Sequence, residues 1–188
     1  MKKFNYNHVH SGVIIDELEN QALVQLKKLK SGEKVEIITH QSIEVPAMIV
    51  TINEEQKKYV TWVLRGARKA RRPVIDKEKA EKLGLIIKSN KVFSAIKRWG
   101  GKYIVQTAFI YASDEHCPPH AAENTKIFQD FWRQHALIKE PDAESPMLGA
   151  PWWSMPQEDY ESYWKILNDN SSTFEAKLSA KIALNGKK

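Results

Sequence analysis

The feature that most constrains this fold is a cluster of cations placed at the end of an amphipathic pattern. Five of the eight residues from Arg65 to Arg72 are lysine or arginine. Asn53 and Gln56 have the spacing of a helix N-cap and its capping-box partner. Projected at about 100° per residue, the stretch that follows separates by chemistry. The apolar arc contains Tyr59, Val60, Val63, Ala67 and Ala70, and the opposite arc contains Lys58, Thr61, Arg65, Arg68, Lys69 and Arg72. The pattern predicts a helix over 54–71 with one core face and one basic face.

The residues before this predicted helix are typical of strands. The segment 45–52 is rich in β-branched residues and carries Pro46, which favours a strand near a sheet edge. The segment 34–39 is a second candidate strand, and a loop near Ser42 would let the two pair as a hairpin. Trp62, which projects beside the basic arc of the predicted helix, is expected to be accessible for stacking on a base or for a dimer contact.

Most of the remaining chain has helical periodicity. Further helices are predicted over 13–30, 77–83, 90–99 and 121–138, and two more begin after Ser154 and Ser172. Trp99 falls on the apolar side of the 90–99 helix, and the last helix runs through Phe174, Leu178 and Ile182. Residues 102–112 fit either a strand or a buried helix. The sequence predicts a helix-rich α+β fold, with a short strand pair followed by helices and with added N- and C-terminal helices.

Charge divides the chain into a basic middle and an acidic C-terminal part. Residues 54–102 contain 15 lysines and arginines against 5 acids, a net charge of +10. Residues 113–170 contain 4 against 11, a net charge of −7. This asymmetry favours a polyanion as one partner and a protein or a second subunit as another. One domain over 1–188 is predicted, with a basic core at about 32–112 and a C-terminal helical extension at about 113–188.

Composition excludes several other classes of protein. The chain has no apolar run of the ~20 residues that a spanning helix needs. Its N-terminus lacks the apolar segment of a signal peptide, and the single Cys117 cannot form an internal disulfide. These features predict a cytoplasmic protein with no membrane association.

A polar segment from Asp114 to Glu123 is the main candidate for chemistry. Cys117 and His120 have a spacing that a zinc site could use, but the sequence offers no second ligand pair at a suitable interval. A polar loop is therefore the preferred interpretation, and no cofactor, metal or catalytic residue is predicted. A metal-dependent nuclease that uses Glu115, His116 or His120 remains the enzymatic alternative.

The stretch MIVTINEEQKKYVTWVLRGARKARR resembles the opening of a ribbon-helix-helix unit, in which a strand precedes two helices. Together with GLIIKSNKVFSAIKRW, it also resembles AcaB-type transcriptional activators of conjugative elements, over about residues 43–131. The resemblance implies a ribbon-helix-helix-like core and a homodimer on double-stranded DNA. It also implies base contacts from Thr51, Asn53 or Lys34 and phosphate contacts from the cations at 65–72.

The sequence thus predicts a DNA-binding transcriptional regulator, an activator of conjugative-plasmid or phage genes, and not an enzyme. Its acidic C-terminal part is expected to contact RNA polymerase or another protein, and a protein-binding accessory factor is the second alternative. Lys97, Arg98 and Lys102 form a second group expected to neutralise phosphates. The predicted DNA-binding residues are Lys34, Thr51, Asn53, Lys58, Arg65, Arg68, Lys69, Arg71, Arg72, Lys97, Arg98 and Lys102.

Overall fold

A computed structural model describes residues 3–65, 70–112, 124–139 and 155–185, with the backbone alone at 64, 65 and 70. The described chain contains eight strands in two four-stranded sheets. It falls into two compact units, unit 1 (Met1–Val50 and Leu85–Asp114) and unit 2 (Thr51–Gly84 and Glu115–Lys188). The single-domain interpretation stays a prediction.

Unit 1 is a mixed sheet with one helix on it. Its elements are β1 (Phe4–Tyr6), α1 (Ile15–Leu26), β2 (Lys34–Pro46), β6 (Lys88–Trp99) and β7 (Lys102–Ile110). The strand order is β1-β7-β6-β2, with β1 parallel to β7 and the other pairs antiparallel. Leu18, Ala22 and Leu26 of α1 pack with Ile96 and Val105 in one apolar core. Since strand side chains alternate, this contact defines which face of the sheet each residue occupies.

Unit 2 combines the second sheet with helices. Its elements are β4 (Thr61–Arg65), β5 (Ala70–Asp76), α2 (Lys77–Lys82), α3 (Lys126–Gln134), β8 (His135–Lys139), α4 (Gln157–Asn168) and α5 (Phe174–Asn185). β3 (Ile49–Thr51) lies at the division between the units, and the sheet order is β3-β8-β5-β4. β4 and β5 form an antiparallel hairpin, whereas β5 and β8 are parallel. Among the described helices, none has the length and apolar character that crossing a bilayer requires.

The helix-rich, ribbon-helix-helix-like prediction is wrong, because strands replace two of its helices. Asn53 and Gln56 do form the predicted reciprocal pair, with N···O distances of 2.9 and 3.0 Å. The pair opens only a short 3-10 turn, Lys57–Tyr59, and the chain then enters the β4–β5 hairpin. Residues 90–99 belong to strand β6. Of the 65–72 cluster, Arg65, Arg71 and Arg72 therefore lie in strands and not in a helix, while Arg68 and Lys69 lie outside the described residues.

Other helix predictions are confirmed in part. α1, α2, α4 and α5 lie where helical periodicity places them, and Gly84 follows α2 with a φ of +66°. The 121–138 helix is shorter than predicted, since the chain changes to strand β8 at His135. In α5, the three apolar residues named from the sequence, Phe174, Leu178 and Ile182, are exposed. Phe174 is 76% exposed, while Ala180 and Leu184 are buried.

Candidate nucleic-acid interface

Lys34, Lys97, Trp99 and Lys102 lie on the sheet face of unit 1 turned away from α1. Lys97 and Trp99 alternate with Ile96 and Arg98 along β6, and Ile96 belongs to the core beneath α1. Lys34 is the direct cross-strand partner of Lys97, and Lys102 is that of Trp99. Directly paired residues share a face. We call these four residues the basic face.

The tryptophan is the exposed element of the basic face. Trp99 is 60% exposed, which is unusual for so large an apolar side chain. The Lys97 ammonium lies 4.7 Å from the centroid of its ring, within the range of a cation–π contact. The basic face therefore combines an accessible aromatic ring with positive charge.

A two-residue turn positions Trp99 opposite Lys102. Gly100 and Gly101 connect the pair with φ values of +55° and +77°. Positive φ at both central residues is the signature of a type I′ hairpin turn, which matches the twist of the flanking strands. The Gly-Gly pair thus places the ring and the ammonium at the end of a regular ladder.

A second segment adds cations beside this hairpin. The loop from α1 to β2 forms two backbone hydrogen bonds with Arg98. The Gly32 N–H donates to the Arg98 carbonyl at 2.8 Å, and the Arg98 N–H donates to the Glu33 carbonyl at 2.9 Å. The Arg98 guanidinium, on the α1 side, donates to the Leu29 carbonyl. The segments 27–36 and 97–103 contain seven lysines and arginines against two acids, and those acids are Glu33 and Glu36. Net positive charge is therefore concentrated at this end of unit 1.

Glu33 and Glu36 only partly offset this charge. A Glu33 carboxylate oxygen accepts the backbone N–H of Lys30 at 2.7 Å. Glu36 lies 3.9 Å from the Lys34 ammonium, at the outer limit of an ion pair. Against the seven cations of the two segments, these two carboxylates leave a net charge of +5.

The predicted first cation group is not one surface in the described chain. Arg71 and Arg72 are neighbours on β5, so their side chains leave opposite faces of the strand. The Arg71 guanidinium lies 5.3 Å from the Trp62 ring, and Arg72 lies 4.6 Å from Phe128 and 5.6 Å from Trp132. Both cations therefore contact aromatic rings of the protein itself.

The other predicted contacts of unit 2 are dispersed. Thr51 and Asn53 are exposed, and Asn53 forms two hydrogen bonds with Gln56. Lys58 lies 5.0 Å from the Tyr59 ring. The backbone of Arg65 pairs with that of Ala70 at the end of the hairpin, whereas Arg68 and Lys69 fall outside the described residues.

The exposure of Trp62 and of Trp99 is the reverse of what the predicted helices imply. Trp62, expected beside the basic arc, is 2% exposed in β4, while Trp99, expected in a core, is the accessible one. Sequence reasoning missed Trp99 as a binding residue. The signal that could have found it is Gly100-Gly101 between two apolar runs, since two glycines in that setting indicate a tight hairpin.

A partly buried polar cluster in unit 2 has a structural explanation. The Tyr160 hydroxyl donates to Asp130 Oδ1 at 2.8 Å, and Lys126 Nζ contacts Asp130 Oδ2 at 2.8 Å. The Arg133 guanidinium lies 4.3 Å from the Tyr160 ring, and burial lowers its pKa. Burial, followed by the hydrogen bond to Asp130, raises the pKa of Tyr160. This cluster joins α3 to α4.

The described residues bring together no group of three or more His, Cys, Asp or Glu side chains able to hold a metal ion. The nuclease alternative depends on Glu115, His116 and His120, which lie outside the described residues. The prediction of no metal therefore stays a prediction.

Comparisons with known proteins add little. No family model and no curated protein sequence matches the chain. One solved structure is similar, a conserved hypothetical protein from Toxoplasma gondii ME49, with 8% identity over 71% of this chain and 90% of that one. The TM-score of 0.42 is too low to support an argument about fold or function. The functional argument therefore depends on the basic face.

Proposed function

We propose that this protein binds nucleic acid through the basic face of unit 1. The observation that carries the proposal is the placement of three lysines around the exposed Trp99 on one side of a sheet. Three of the residues predicted from the sequence to bind DNA, Lys34, Lys97 and Lys102, belong to this face. Lysine ammonium groups neutralise phosphates and release the counterions condensed on them.

Charge density supports a polyanion as the ligand. The two hydrogen-bonded segments 27–36 and 97–103 contain seven cations and two carboxylates, so this end of unit 1 has an excess of positive charge. A polyphosphate backbone presents a row of negative charges that such a surface can follow. Arg65, Arg68 and Lys69, predicted from the sequence as phosphate contacts, are proposed as additional ones. Arg71 and Arg72 contribute less, because their guanidinium groups contact aromatic rings.

Regulation of transcription is the biological role that the sequence favours for this binding. In that role the protein is a dimeric activator of mobile-element genes, acts in the cytoplasm and contacts another protein through its acidic C-terminal part. Each of these points depends on nucleic-acid binding being real. Binding is therefore the property to measure first.

The test compares two triple variants with the same loss of charge. Lys34→Ala/Lys97→Ala/Lys102→Ala removes the lysines of the basic face. Lys82→Ala/Lys165→Ala/Lys181→Ala removes three exposed lysines of unit 2 and serves as the matched control. Affinity for labelled duplex DNA and single strands is measured by fluorescence anisotropy at several salt concentrations.

Losing three phosphate contacts should flatten the log–log salt dependence by about two to three units. The control triple should retain the slope of the original protein, because none of its lysines is among the residues proposed to contact nucleic acid. If both triples behave alike, binding reflects net charge only and the basic face is not the interface. Circular dichroism confirms that each variant is folded.

A further inference from the structure

We infer that the basic face takes single-stranded nucleic acid, with an unpaired base stacked on Trp99. This inference rests on the proposed function and deepens it, since it names the form of the ligand. The shared chemistry is a flexible phosphodiester chain with exposed base faces, which either DNA or RNA supplies.

The first argument is the state of the Trp99 ring. It is 60% exposed, although burying an indole normally contributes several kcal/mol to stability. Lys97 lies over it at 4.7 Å, so positive charge accompanies the ring. Aromatic rings beside cations are how proteins bind single strands with little sequence preference, because every base has a π-face.

The second argument is that Trp99 is already in place. It ends β6, a central strand of the sheet, and its cross-strand partner is fixed by the Gly100-Gly101 turn. On the other side of β6, Arg98 holds the strand end through its bonds to Leu29, Gly32 and Glu33. A ring that is positioned before binding loses little conformational entropy when a base stacks on it.

The third argument distinguishes a single strand from a duplex. In a duplex the base faces are stacked on one another, so contact with Trp99 would require unstacking at a cost of a few kcal/mol. Lysine binds phosphate as a point charge and lacks the planar, rigid fork of donors that arginine presents. The basic face therefore offers most to bases that are already unpaired.

The test uses oligothymidylate and oligouridylate of about ten nucleotides, the site size of small single-strand binders, beside a mixed-sequence duplex. Trp99→Ala removes the stacking ring and Trp99→Phe keeps an aromatic one. Phe174→Ala, which removes an aromatic side chain that is 76% exposed in unit 2, is the matched control. Anisotropy reports affinity, and quenching of tryptophan emission reports stacking.

The original protein should bind the single strands more tightly than the duplex. Trp99→Ala should weaken single-strand binding by roughly 5- to 150-fold, the equivalent of one stacked base, while Phe174→Ala leaves it unchanged. Trp99→Phe should keep most of the affinity but lose part of the emission quenching. The stronger of the two oligonucleotides identifies the natural backbone.

Two results would overturn the inference and leave the proposed function standing. One is tighter binding to the duplex than to either single strand. The other is a Trp99→Ala variant with the single-strand affinity of Phe174→Ala, while the Lys34/Lys97/Lys102 triple still loses salt dependence. Salt-independent or absent binding to all three probes would instead remove the proposed function itself.

Discussion

Removing Trp62 and removing Trp99 should have opposite consequences for stability and for binding. Trp62 is 2% exposed in β4 of unit 2, whereas Trp99 is 60% exposed at the end of β6 in unit 1. A helix over 54–71 would make Trp62 the accessible ring. Alanine at each position therefore compares the strand and helix interpretations directly.

The loss of unfolding free energy expected for Trp62→Ala follows from the burial of that side chain. Replacing a buried tryptophan with alanine costs about 3–5 kcal/mol, because apolar transfer energy is lost and a cavity remains. The Arg71 guanidinium, 5.3 Å from the ring, would also lose its aromatic contact. For a chain of this size, 1 kcal/mol shifts the melting temperature by roughly 2–4 °C, so Trp62→Ala should lower it by about 6–20 °C. Trp99→Ala loses the exposed cation–π contact with Lys97 and should change the unfolding free energy by no more than about 1 kcal/mol.

The assay is urea unfolding followed by far-UV circular dichroism, with the same two variants in the anisotropy measurement. Trp62→Ala should shift the urea midpoint strongly, whereas folded Trp62→Ala protein at low temperature should bind single strands normally. Trp62→Phe should fall between, since it restores part of the buried ring. The reasoning fails if Trp99→Ala proves as destabilising as Trp62→Ala, or if Trp62→Ala costs under about 1 kcal/mol.

Three further changes test other parts of the structure. Tyr160→Phe removes the donor to Asp130 and should cost about 1.5–3 kcal/mol by urea unfolding, whereas Tyr163→Phe, a partly exposed change on the same helix, should cost little. Burial, then the hydrogen bond to Asp130, raises the pKa of Tyr160, so the folded form holds its proton more tightly than the unfolded chain does. This contribution to stability is complete below the ordinary tyrosine pKa of about 10 and should be lost as pH rises above it. Tyr160→Phe should make that alkaline loss less steep, and an unchanged slope in a pH series of urea midpoints would contradict the assignment. Gly101→Ala should lower the unfolding free energy by about 1–2 kcal/mol because the φ of Gly101 is +77°. This cost is conformational, since no neighbouring atom lies within 4 Å of the added Cβ. Gly100→Asn should cost less, since asparagine tolerates that conformation, and equal urea midpoints for the two variants would argue against the turn.

Helices were predictable where one face is solvated. α1 and α4 alternate apolar and polar residues at helical spacing, and both lie where this periodicity places them. α5 shows the limit of the method. Its position was predictable, but Phe174 is exposed, because a pattern of apolar residues shows which residues share a face and not which face meets a neighbour.

Strands were missed where both faces are buried. All five residues from Val92 to Ile96 are buried, so β6 has no alternation that would distinguish it from a helix. Trp62 and Val63 are adjacent and both buried in β4, which removes the period of two there as well. A helical projection of such a run still separates its residues into arcs. The separation then comes from the assumed helical spacing and does not describe the faces of the real strand.

The candidate site was predictable residue by residue but not as a surface. Lys97 and Lys102 were identified from charge and Lys34 from the resemblance, yet the three meet only because β2 pairs with β6 and β6 turns back as β7. Pairing between distant segments is not encoded in local composition. The same limit applies to the parallel contact of Val74 with Leu137 in unit 2, which no local pattern indicates.

The interleaving of the two units along the chain has a consequence during synthesis. Phe4 pairs with Tyr103, and β2 pairs with β6 across residues that belong to unit 2. On the ribosome, β1 and β2 therefore emerge well before their partners have been translated, while the local β4–β5 hairpin can close at once. Long-range pairing of this kind slows folding and exposes unpaired strand edges to other nascent chains. We expect unit 1 to be the part of the protein that most needs a chaperone while it is being made.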